Sequence, residues 1–153
     1  MNAVVDIDAR RLRRLSAALE DLERWAENES STSATDPSWK ALRDRGTAEA
    51  TFELGAQEGA ESAYADVAAR LALVRATLAA APETSTKAER FRAALEALRG
   101  ELAWCEAQRR EALNARGASV EPEEIHAAGR AEALSAIAEE LRSTMDAAPL
   151  GRL

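Results

Sequence analysis

The stretch TFELGAQEGAESAYADVAARL, residues 51–71, sets Gly55, Gly59, Ala63, Val67 and Leu71 four residues apart. On an α-helix that spacing draws one ridge, bare at its start and bulky at its end. Glycine costs an exposed helix about 1 kcal/mol relative to alanine. Two glycines on one ridge therefore need a compensating gain, and close approach of a second helix backbone supplies it. The expected element is a long helix over about 47–80 whose flank is a docking surface for another helix.

A second ridge has the same spacing. Ile125, Gly129, Ala133, Ile137 and Leu141 lie on an expected helix over about 122–146, opened by Glu121-Pro122 and by a hydrophobic staple between Val120 and Ile125. Two further segments carry leucine seams instead. Leu12, Leu15, Leu19, Leu22 and Ala26 mark a helix that begins at Asp6 or Asp8 and runs to about 28. Phe91, Leu95, Leu98, Leu102 and Cys105 mark another, opened by the capping-box pair Thr86 and Glu89, reaching about 115 and stopped by Gly117.

Between these elements the serine- and threonine-rich segment 29–35 reads as a loop. Asp36-Pro37 then starts a short helix that ends near Gly46. Phe52, Val67, Leu71, Val74 and Leu78 are expected to continue the buried face of the long helix. The segment RLSAALEDL at 14–22 aligns with RFRAALEAL at 90–98, so each half pairs a leucine-seamed helix with a small-residue helix. The expected fold is all-α: four main helices as two antiparallel hairpins, bundle-like, with possible internal duplication. One helical domain would cover 1–147, with half-repeats over about 8–80 and 86–146 and a frayed tail at 148–153.

Composition agrees with a helical chain of one-domain size. Of 153 residues 46% are hydrophobic but only 4% aromatic, with 7 glycines and 4 prolines. The excess of alanine, and of arginine over lysine, suggests a GC-rich bacterial genome or one of its phages. The net charge of -7 is spread along the chain, -4 over residues 1–80 and -3 over 81–153. That balance disfavours nucleic acid as a default partner. A lone cysteine excludes an intrachain disulfide, and neither an apolar signal core nor a membrane-length hydrophobic run is present. The cytoplasm is the expected location.

Few residues point to chemistry. Glu123 and His126 form half of the Glu-x-x-His signature of ferritin-like di-iron bundles, but the second copy is missing. Gly55 to Gly59 lacks the lysine of a phosphate-binding loop. Cys105 falls on a leucine seam, where a buried thiol is usual. Glu20 with Glu23 and Glu58 with Glu61, followed by Asp66, resemble the paired carboxylates of the MazG-like all-α nucleotide pyrophosphatases. That resemblance implies a magnesium-dependent hydrolase using Glu20, Glu23, Glu58 and Asp66. The pattern departs from the family where Ala63 stands three residues before Asp66.

The leading expectation is a non-catalytic interaction or assembly protein that binds a protein partner or itself, as a homo-oligomer, with no cofactor or metal. Gly55, Gly59, Ala63, Gly129 and Ala133 would form the helix-packing surface. Trp104, beside the Leu102 and Cys105 seam, and Tyr64, beside the Gly59 and Ala63 ridge, are the candidate partner contacts. Arg10, Arg11, Arg13 and Arg14 sit in the first two turns of a helix, where the dipole disfavours positive charge. Carboxylates on neighbouring helices are expected to offset them. The alternative is a regulator that touches nucleic acid through these arginines.

Overall fold

A computed structural model describes residues 6–116 and 121–153. Six helices lie among the described residues: α1 (Ile7–Ser30), α2 (Thr32–Thr35), α3 (Pro37–Arg45), α4 (Ala48–Ala79), α5 (Lys87–Ala115) and α6 (Pro122–Ala147). No strand occurs among the described residues. The expected stop at Gly117 and the staple through Val120 fall outside them.

Local chemistry sets the helix starts. Asp6 caps α1 by accepting from the Ala9 amide at 3.0 Å, and Asp36 caps α3 through the Ser38 amide at 3.0 Å. Thr47 accepts from Ala50 at 3.2 Å to open α4. Thr86 and Glu89 form the reciprocal capping box of α5, at 3.1 and 2.9 Å. Gly46 ends α3 in the left-handed region at φ 62°, a conformation that favours a residue without a Cβ.

The expected loop over 29–35 is corrected. Helix α1 continues to Ser30, and residues 32–35 form a helical turn. Hydroxyls account for it: Ser30 donates to the Glu27 carbonyl at 2.7 Å and Thr35 to that of Ser31 at 3.1 Å. The last carbonyls of a helix lack intrahelical partners, and these hydroxyls supply some. Glu61 on α4 then anchors the turn, accepting from the Ser33 amide at 2.6 Å and its hydroxyl at 2.8 Å.

The four long helices pack side by side. Helix α4 makes its most extensive contact with α6, α5 packs on α6, and α1 packs on α4 and α5. Direction follows from the partners. Trp25 meets Tyr64 while Glu20 meets Arg75, so α1 and α4 run antiparallel. Gly55 faces Ile125 while Gly59 faces Arg130, so α4 and α6 run parallel. Leu15, Leu19, Leu71, Leu98, Leu134, Ile137 and Leu141 are fully buried between them. Each such side chain contributes about 1.5–3 kcal/mol by leaving water.

Two further expectations change. Phe52 is 47% exposed rather than buried. Its ring lies instead in a surface groove shared with Trp39, Tyr64 and residues of α6. The tail expected to fray, 148–153, is anchored at both its ends, with 149–152 exposed. Ala148 is buried, Leu153 rests against the core, and Arg14 Nη1 donates to the Gly151 carbonyl at 2.9 Å.

Candidate functional site

The two small-residue ridges meet each other. A Cβ built on Gly59 would stand 2.8 Å from the carbonyl carbon of His126 and 3.0 Å from the amide nitrogen of Arg130, and closer still to the His126 oxygen. One built on Gly129 would stand 2.6 Å from the carbonyl carbon of Ala56. Ala63 and Ala133 are buried on the same seam, at 0% and 4% exposure, and Gly55 lies against the Ile125 side chain. These five residues are thus consumed in an internal contact between α4 and α6.

Most of the charged residues singled out in the sequence are likewise engaged. Arg75 pairs with both Glu20 and Glu23 in the groove between α1 and α4. Asp66 pairs with Arg130 at 2.8 Å, on the side of α4 that faces α6, and Arg130 also reaches Ser62 and Gln108. Glu58 is exposed, and Glu61 holds Ser33. The four carboxylates of the hydrolase pattern are therefore divided between faces rather than gathered. Among the described residues no three His, Cys, Asp or Glu side chains could hold a metal ion together.

Trp104 and Tyr64 also have intramolecular partners. The Arg70 guanidinium lies 4.3 Å from the centre of the Trp104 ring and pairs with Glu101, so one face of that indole is covered. Tyr64 receives the edge of Trp25, with ring centres 5.3 Å apart. Cys105 is buried, and that burial, reinforced by Glu101, pushes its thiol up to about 12. Such a thiol carries almost no thiolate at neutral pH and is a poor nucleophile.

The arginine cluster departs from expectation. Among the described residues no carboxylate pairs with Arg10, Arg11, Arg13 or Arg14. Instead Arg10, Arg11 and Arg14 line a cavity of about 180 Å³ closed by the tail residues Leu150, Gly151 and Leu153. A carbonyl group, not a carboxylate, answers Arg14.

Two of the larger cavities lie beside α4. The one of about 530 Å³ beside α1 and α4 has Leu12, Leu19 and Leu78 on its walls, and its Glu20, Glu23 and Arg75 neutralise one another. The other, about 450 Å³, lies over the α4–α6 seam. Gly129 and Ala133 are among the small residues of its lining, the aromatic rings are Trp39, Phe52 and Tyr64, and its charges are Glu29, Glu53 and Glu132. No lysine, arginine or histidine lines it. Four helices build this groove: α1 brings Glu29, α3 brings Trp39, α4 brings Phe52, Glu53 and Tyr64, and α6 brings Glu132. Sequence reasoning reaches Tyr64 among these rings and carboxylates, and Trp39 as one of three tryptophans able to anchor a partner. No spacing rule joins the rest, Glu29, the adjacent Phe52 and Glu53, and Glu132.

The groove is electrically one-sided. Burial, then the carboxylates of Glu29 and Glu132, raise the Tyr64 phenol above its ordinary value of 10.0. Among the described residues none of the three glutamate carboxylates has a hydrogen-bond or ion-pair partner. Comparison with protein-family models, with curated proteins and with solved structures finds no match to this chain.

Proposed function

We propose that this chain is a non-catalytic interaction protein, two antiparallel helical hairpins packed as a bundle, that binds a protein partner in the cytoplasm. The observation that carries the reading is the groove over the α4–α6 seam, where Phe52 remains 47% exposed beside Trp39 and Tyr64. Aromatic rings clustered in a concave surface are the usual anchors of a protein interface. Glu20 and Glu23 are held by Arg75 and Asp66 by Arg130, which engages three of the four carboxylates of the hydrolase pattern. The glycine ridges support a separate partner over self-association, because each is covered by the other within one chain.

Light scattering across a concentration range, combined with a pull-down by the immobilised protein, tests this. The expected result is a monomer that retains a partner, and a Trp39→Ala/Phe52→Ser variant that loses it. A monomer with no retained partner, or retention unaffected by that variant, overturns the reading.

A second reading has its own observation. Arg10, Arg11 and Arg13 have no carboxylate partners among the described residues, which leaves them available to an acidic surface such as nucleic acid. Binding of that kind weakens steeply with salt. Absence of any shift with duplex or single-stranded DNA or RNA at low salt removes it.

A further inference from the structure

We propose that the groove over the α4–α6 seam is a receptor for the cationic side chains, arginine or lysine, of a basic segment of the partner protein. This rests on the interaction role argued above and names the chemistry of what is bound.

Three features converge. The first is shape: a cavity of about 450 Å³ exists here because its floor includes Gly129 and Ala133 rather than larger side chains. The second is the aromatic wall. Trp39, Phe52 and Tyr64 line one cavity, and the faces of such rings attract a cation through their quadrupole, most strongly where water is partly excluded. Trp25, set edge-on at 83° to Tyr64, backs that wall.

The third is charge. Glu29, Glu53 and Glu132 reach the cavity from three different helices, and among the described residues no cation lines it with them. Other carboxylates that lie between the long helices are paired within the chain: Glu20 and Glu23 with Arg75, Asp66 with Arg130, Glu101 with Arg70, Glu106 with Arg142. Three carboxylates around one aromatic hollow lined by no basic side chain favour positive charge there. Tyr64 reports the same field, since both Glu29 and Glu132 act on its phenol. An acidic peptide or a phosphate would meet repulsion from all three. A guanidinium suits the site best, because its flat face stacks on rings while its edge donates to carboxylates.

A short alanine-based peptide carrying several arginines, its glutamate counterpart, and free arginine amide are titrated into the full chain by calorimetry. The arginine peptide should bind saturably at one site per chain, and the glutamate peptide should not bind. Glu29→Gln/Glu53→Gln/Glu132→Gln should weaken the arginine peptide about tenfold or more. Glu139→Gln/Glu140→Gln, exposed on α6 outside the groove, should leave it unchanged. Trp39→Ala, with its helix content checked by circular dichroism, should weaken it similarly. All the carboxamide variants keep the side-chain shape, so the comparison survives if Trp39→Ala unfolds.

No binding at low salt overturns the proposal. Equal weakening by the two glutamine variants would show bulk attraction to an acidic protein, and also overturns it. Free arginine amide binding as tightly as the peptide would make this a small-molecule site and exclude the partner segment. The triple variant retaining its partner in the pull-down would sink the cationic groove while leaving the interaction role standing.

Discussion

Gly59 on α4 and His126 on α6 meet backbone to backbone, with space for a hydrogen and not for a methyl group. The adjacent contact of Gly129 with Ala56 has the same form. Backbone atoms cannot turn aside as a side chain can, so a Cβ at either position must push the helices apart. Alanine gains about 1 kcal/mol in helix propensity, but overpacking a close-packed contact costs about 1–3 kcal/mol and sometimes more. Gly59→Ala and Gly129→Ala should each therefore lose stability in urea unfolding. Gly100→Ala is the counterexample, since nothing lies within 4 Å of a Cβ there. It should gain about 1 kcal/mol.

Tyr64, the sole tyrosine, makes the field of the groove measurable. Its absorbance titration should have a midpoint above 10.0, and Glu29→Gln/Glu132→Gln should bring it down. The linkage has a definite sign: the folded phenol holds its proton more tightly than the unfolded one. Its contribution is therefore fully present below pH 10.0 and is lost as pH rises through the higher folded value.

Cys105 should be inert in the native protein. With its thiol pushed up to about 12, alkylation by iodoacetamide at pH 8 should proceed only as fast as the core opens. In urea it should react at the rate of a free cysteine. Mass spectrometry of samples quenched over time distinguishes the two.

Acid should weaken the helix starts. Asp6 is held below its ordinary value of 3.8 by the Ala9 amide and by Lys87, and Asp36 by the Ser38 amide and hydroxyl. Both folded values are depressed, so their stabilisation is present above pH 3.8 and disappears as pH falls through the folded values. The slope of thermal midpoint against pH below 4 should be shallower in Asp6→Ala/Asp36→Ala than in the parent.

Much of this architecture was legible because it is periodic. The leucine seams of α1 and α5, the four-residue ridges of α4 and α6, and the caps at Asp6, Asp36 and Thr86 are local patterns with local causes. Direction between distant helices is not local. The glycine ridges announced close approach, yet only coordinates show that they lie on one another and run parallel. Phe52 misled because its ring faces a groove built by distant segments rather than the core, and the turn at 32–35 misled because Glu61, far along the chain, holds Ser33. The groove was invisible for the same reason as the direction: four separate helices contribute to it. The arginine cluster was noticed from its position on the dipole, but its companion, the Gly151 carbonyl, comes from the far end of the chain.

The pairing of Gly59 with the α6 backbone has a consequence for the chain while it is being made. The most extensive helix contact joins segments about 70 residues apart, and at roughly 5–20 residues per second the ribosome takes on the order of ten seconds to supply the second after the first. Throughout that interval the nascent α1–α4 hairpin carries a naked strip from Gly55 to Leu71. The nearest equivalent strip belongs to the next ribosome on the same message, so crowded translation is where this protein is most exposed to clumping with its own kind.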